Sequence, residues 1–180
     1  MMPGQAFECS LHYSSQWGME VFLLFLLVPF VACLGGDLDV PSNVANRSMA
    51  IRGTLLCGSK GMKGATVRLF RVYQKDAIDD LSQLLDQKHT LETGYFQLEG
   101  TTAKFPTTQT EIDPFVTIHH NCDMDERQTA NMGYKRWAIR LPQDYVTTGV
   151  KARKVYDFGR VNLQLQYPGE MHDKKFSFND

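Results

Sequence analysis

His119-His120, with Cys122 and Asp123 beside them, is the one cluster of metal-ligand residue types in this 180-residue chain. A zinc site needs several such side chains converging on one ion. Neighbouring residues of a strand point to opposite faces, so the two histidines diverge, and so do His119 and Cys122. The favoured reading is therefore structural: Cys122 in a disulfide, one histidine inward and hydrogen-bonded, the other in solvent. Asp76, Asp79, Asp80 and Asp86 invite a calcium reading. They lack the D-x-[DN]-x-[DN]-G run and the closing Glu of an EF-hand loop, so capping and solvation account for them better. No Ser-His-Asp or paired-carboxylate pattern has a recognisable spacing. The sequence thus assigns no catalytic residue, no metal ligand and no cofactor. What remains is a local basic concentration at Lys151, Arg153 and Lys154, joined by Arg160 and more distantly by Lys174-Lys175. It suits an anionic lipid headgroup, a glycan or an acidic protein; the plainer alternative is a solvated turn. Lys151, Arg153, Lys154 and Arg160 are the candidate ligand-binding residues.

Stepping outward from these residues, the chain has room for one domain and a leader. Val21–Leu34 is an apolar block, VFLLFLLVPFVACL, too short for the roughly 20 residues of a spanning helix and interrupted by Pro29. It has the length of a signal-peptide core, and Cys33 and Gly35 stand where a cleavage site wants small residues. Residues 1–35 read as a signal peptide cut after Gly35, with 1–18 a possible upstream extension before Met19. A rival reading takes Phe30-Val31-Ala32-Cys33 as a lipobox. Glu8 and Glu20 are the only charged residues of the leader, which leaves 19 basic and 18 acidic residues beyond it. So even a balance predicts no affinity for nucleic acid. The expectation is a secreted, extracellular protein that is not integral to a membrane.

With Cys9 and Cys33 in the leader, Cys57 and Cys122 are the two that stay. An even pair in a secreted domain reads as a disulfide, against the alternative of two buried thiols. Asn46-Arg47-Ser48 is a glycosylation sequon in the polar stretch before the first strand, where Asn46 is expected to be exposed.

Period-two alternation marks the elements that must carry these residues. Ser48–Cys57 places Ile51, Gly53, Leu55 and Cys57 on one face, and Ala65–Tyr73 follows a glycine-bearing turn. Asp76 to Leu85 breaks the pattern with Ile78, Leu81, Leu84 and Leu85 at helical spacing, which predicts a short helical turn or a bulged connection. Lys88–Glu92, Thr93-Gly94 and Tyr95–Glu99 read as a hairpin. Phe115–Cys122 puts Val116, Ile118, His120 and Cys122 together; Asp123–Asn131 reads as an acidic loop. Tyr134–Leu141 is a further strand. Val161–Gln166 alternates cleanly, predicting Val161, Leu163 and Leu165 inward. The sum is an antiparallel β-sandwich of about seven strands with one short helical turn.

Several of these runs occur in a specific order: Arg52-Gly53, Leu55-Leu56-Cys57, Lys63-Gly64-Ala65-x-Val67-x-Leu69-Phe70, Gly94-x-Phe96-x-Leu98, Asp113-Pro114, Ile118-His119-His120-Asn121-Cys122, Leu141-Pro142-x-x-Tyr145 and Tyr156-Asp157-x-Gly159. Together they resemble the nematode transthyretin-like family over about residues 48–170. The resemblance implies a secreted, transthyretin-like, all-β sandwich. Many members carry a second cysteine pair, where this chain has Asn131-Met132-Gly133 and Met171-His172-Asp173. The same fold hosts 5-hydroxyisourate hydrolases, which need a first-strand histidine and a terminal Tyr-Arg-Gly-Ser. This chain has Met49-Ala50-Ile51 there and closes on Phe178-Asn179-Asp180, so a hydrolase is disfavoured. The expected plan is a signal peptide over 1–35, an N-terminal arm over 36–47, a sandwich over 48–170 and a tail over 171–180. The expected role is a binding module for a protein, lipid or small hydrophobic ligand, without catalysis; a structural component of extracellular material is the other non-enzymatic alternative.

Overall fold

The computed structural model describes residues 46–72 and 80–177. The leader, most of the arm, Tyr73 of the expected second strand, and Asp76, Ile78 and Asp79 of the expected helical turn lie outside the described residues. Among the described residues, no helix is long and apolar enough to cross a membrane.

Two sheets face each other. The first is built on β1 (Arg47–Cys57), the second on β3 (Thr66–Phe70). In the first sheet, β1 pairs antiparallel with β2 (Lys60–Gly61), β5 (Tyr95–Thr101) and β8 (Thr147–Thr148), and parallel with β9 (Val155–Asn162). The second sheet has β3 between β4 (Leu84–His89) and β6 (Phe115–His120), then β7 (Tyr134–Arg140) and β10 (Met171–Asp173), all antiparallel. Three of these strands are only two or three residues long, so seven carry the sandwich.

The core lies between the sheets. Alternation supplies Met49, Ile51 and Leu55 from β1, Phe96 and Leu98 from β5, and Val67, Leu69, Val116 and Ile118 from the second sheet. Burying each such side chain contributes roughly 1.5–3 kcal/mol. Gly53 stands on that inward face because nothing larger fits: a Cβ there would come within 2.8 Å of Phe158 and 3.0 Å of the Phe96 ring. The two rings meet edge-on in the space it leaves, with centroids 5.9 Å apart.

Cys57 and Cys122 are bonded, with Cα atoms 5.6 Å apart. The bridge ties the end of β1 in one sheet to Cys122, two residues past the end of β6 in the other. It closes a 65-residue interval, worth on the order of 4 kcal/mol by loss of unfolded-chain entropy.

Five local expectations change in the structure. Asp123–Asn131 is not all loop, because α1 (Glu126–Met132) forms within it. Asp125 accepts from the Gln128 backbone while the Gln128 side chain accepts from the Asp125 N–H, a reciprocal cap. Leu84 and Leu85 belong to β4, which pairs with β3, rather than to a helix; among the described residues of this stretch, Leu81–Gln83 alone turns helically, capped by Asp80. The turn at Thr93-Gly94 is present, but its two arms join different sheets, so it forms a corner of the sandwich instead of a ladder. The last long strand starts earlier than expected and bulges at Gly159, where the register against β1 slips between Arg52 and Thr54. That slip carries the inward face from Tyr156 and Phe158 to Val161 and Leu163, while Leu165 is 58% exposed. Finally, residues 171–173 extend the second sheet past the expected boundary at 170, so this part of the tail is a strand.

Candidate functional site

The histidine pair resolves into two separate environments. His120 shares the inward face of β6 with Ile118, and burial, then the Lys135 charge, then His119 lower its pKa from 6.5 to about 4. Its Nδ1 accepts from the Cys122 N–H at 3.3 Å, so the ring is neutral with its proton on Nε2. His119 faces the opposite side of the sheet. Phe176 stacks on it with centroids 4.0 Å apart, and the Asp173 carboxylate stands 3.4 Å from Nε2. The expected solvated histidine is therefore absent: both rings are buried, because the C-terminal strand and Phe176 roof the outer face.

Among the described residues, the one grouping at metal-ligand distances is Cys57, Cys122 and Asp123. Two of its three members are spent in the disulfide and offer no thiolate. Asp80 accepts from the Ser82 N–H, and Asp86 accepts from the Gln87 and Glu99 N–H groups. These two carboxylates cap backbone, and Asp76 and Asp79 lie outside the described residues.

The basic loop is built by β8 and the turn that follows. The Gly149 N–H donates to the Asn46 carbonyl, the Ala152 N–H to Glu99, and the Arg153 N–H to the Thr147 hydroxyl. Lys151, Arg153 and Lys154 are all exposed on this frame. The Arg153 guanidinium donates to the Thr148 carbonyl at 2.8 Å and the Lys154 ammonium to the Asp144 carbonyl at 2.9 Å. Carbonyls orient these heads without neutralising them, and among the described residues none of the three makes an ion pair. Arg160 is not brought to the loop. It lies roughly 15–20 Å further along β9, beyond the Arg52–Asp157 pair on the same outer face. Hydrogen bonds from the Gly159 N–H and Arg52 hold the Asp157 carboxyl below its usual range. Lys174 and Lys175 follow β10 in the other sheet.

The sequon differs from its expectation as well. Ser48 lies inside β1 and is fully buried with its hydroxyl 3.3 Å from that of Thr147, and Asn46 is half-buried. The strand simply begins earlier than polarity suggests.

Clefts of about 470, 370 and 220 Å³ open on the surface. The smallest is the most apolar, lined by Leu91, Tyr95 and Phe96 at the corner between β4 and β5. The sequence reading missed the aromatic roof at Phe176, since alternation reports which face a residue takes and not what covers it.

The profile of the Transthyretin-like family matches residues 52–142. That span runs from β1 through β7 and the first residues after it, and includes both bridged cysteines. The chain belongs to the transthyretin-like family. Transthyretin-like protein 46 of Caenorhabditis elegans is 32% identical over 145 residues, covering 81% of this chain and 73% of that one. Transthyretin-like protein 33 of the same organism is 28% identical over 144 residues, covering 80% and 90%. Each of these relatives covers about four-fifths of the chain, and β9 and β10 lie past the stretch that the family profile covers.

Proposed function

We propose that this transthyretin-like chain is a secreted, non-catalytic binding module that recognises an anionic extracellular surface through Lys151, Arg153 and Lys154. The observation that carries the reading is the state of those three charges. They stand exposed on one short loop, two of them oriented by backbone carbonyls, and among the described residues none is in an ion pair, the nearby Glu99 carboxylate being engaged by the Ala152 N–H. Several cations held near an anionic surface contribute about 1 kcal/mol each. Arg160 is left out of this patch by its distance and by the Asp157 carboxylate between. The apolar block Val21–Leu34 supports secretion.

A small hydrophobic ligand is the weaker reading. The apolar cleft at Leu91, Tyr95 and Phe96 holds about 220 Å³, below the roughly 300–1,000 Å³ usual for ligand pockets.

The test is retention on vesicles containing phosphatidylserine and on sulfated glycan at low salt. Changing Lys151, Arg153 and Lys154 together to Ser is expected to abolish retention, and raising salt to weaken it in the unchanged protein, since exposed charges are screened within about 10 Å at 0.1 M. A wild-type chain that ignores both surfaces at low salt overturns the proposal.

A further inference from the structure

We propose that two copies of this chain pair by exchanging the segment Met171–Ser177, each copy laying its segment on the β7 edge of the other. The segment is well matched to its seat. Met171, His172 and Asp173 register against Arg136, Lys135 and Tyr134 of β7. Beyond them Phe176 lies flat on His119, the Arg68 guanidinium stands 4.8 Å from the Phe176 ring, and Tyr134 meets it edge-on at 5.2 Å. Asp173 reaches the His119 Nε2 from the same strand. Gly133 is shaped to this contact: a Cβ there would stand 2.3 Å from the Asp173 carbonyl oxygen.

Yet the segment lies outside the core between the sheets. Among the described residues, none after Leu163 belongs to the buried apolar core that joins the two sheets. Elements with few buried apolar contacts open at a fraction of the global free energy. The chain is held as far as Tyr167, whose ring stacks on Trp137 at 4.0 Å and whose hydroxyl donates to the Asn162 carbonyl. After it comes a tight turn through Pro168 and Gly169, closed by the Glu170 N–H on the Tyr167 carbonyl. Straightening that turn lets the last strand leave its seat without disturbing the core, and an emptied β7 edge then presents unpaired backbone groups.

The occupant is identified by the seat itself. A second copy carries a strand with the same carboxylate and aromatic three residues apart, in the register the seat already accepts. Exchange of an identical element is a low-cost route to a dimer. Leu165 and Met171, 58% and 46% exposed, are the apolar members of a mainly polar cleft beside the hinge, and a second chain can cover them.

The test is light scattering on the purified full-length chain, as its host cell processes it, after incubation over a range of concentrations. The dimer-to-monomer ratio is expected to rise roughly tenfold for a tenfold rise in monomer. Excess synthetic peptide Met171–Ser177 is expected to return dimer to monomer, and deletion of Pro168 and Gly169 to drive the chain to dimer by denying it the turn back. Phe176→Ala removes the same contact from the closed monomer and the exchanged dimer, so it is expected to hasten exchange and leave the ratio nearly unchanged. Folded wild-type and deletion chains that stay monomeric at every concentration overturn the proposal. So does a dimer that ignores the peptide.

Discussion

Lys151, Arg153 and Lys154 stand in water beyond β8, whereas Arg68, Arg71 and Arg136 are buried in or beside the second sheet, at 4%, 8% and 7% exposure. Both groups use hydrogen bonds, but to different ends. Arg71 donates to the Gln83 side chain and to the Gln109 and Glu111 carbonyls, while Phe105 lies under its guanidinium. Arg68 donates to Gln87 at 2.6 Å and faces Phe176. A buried guanidinium persists only where partners meet its planar fork, so Arg71 clamps β3's end to the loops at Gln83 and Gln109–Glu111, and Arg68 ties β3 to β4 and the C-terminal segment. Of the loop cations, Arg153 and Lys154 donate to carbonyls at the surface, and all three keep their charge available. Residue type is shared; burial decides whether the charge holds the fold or faces a partner.

The comparison breaks most completely when the sandwich itself is loosened. Cys57→Ala removes the link between the sheets and is expected to cost about 2–5 kcal/mol, read as a lower denaturation midpoint. Both groups of cations lose their frame in that variant. Equal stability of the variant and the wild type would mean that the bridge adds nothing to the packed core.

The buried side also has an acid limit. His120 is neutral in the fold, with a pKa near 4 against 6.5 when free. Below pH 6.5 the unfolded chain binds the extra proton, so stability falls as the pH drops from about 6.5 towards 4. The total is on the order of 3 kcal/mol. His120→Gln is expected to flatten that part of the melting-temperature profile. An unchanged slope in the variant assigns the acid loss elsewhere.

A narrower break separates the two kinds of cation directly. Arg71→Gln strips a buried clamp and is expected to cost about 2 kcal/mol, since hydrogen bonds to a charged group contribute roughly 1.5–3 each. Thermal denaturation measures it. The smallest expected effect is on the exposed side: Lys151, Arg153 and Lys154 changed together to Ser should alter stability by less than about 1 kcal/mol, while binding to anionic vesicles is lost. A large drop in melting temperature for the triple variant would place those side chains among the clamps.

Much of the sandwich was legible in the sequence because burial on one face of a strand leaves a period of two. Ile51, Leu55 and Cys57 on β1, and Val116, Ile118 and His120 on β6, lie inward as alternation predicts. The Cys57–Cys122 bridge followed from the count of cysteines once the leader was set aside, and the family was legible in the order of its short motifs. Other features depend on what the far parts of the chain bring together. A single bulge at Gly159 exchanges the two faces of β9, because one extra residue does so, and the strand's end at Asn162 in a turn leaves Leu165 at the surface. The partner sheets of β4 and β5, and the separation of Arg160 from Lys151–Lys154, depend on strand pairing across long intervals. His119 shows the limit most plainly: its position on β6 put it on the outer face, and solvent was the natural inference. Only the tertiary structure laid Phe176 over it, more than fifty residues along the chain. Alternation records a residue's side of its own strand, whereas the roof over that side comes from elsewhere.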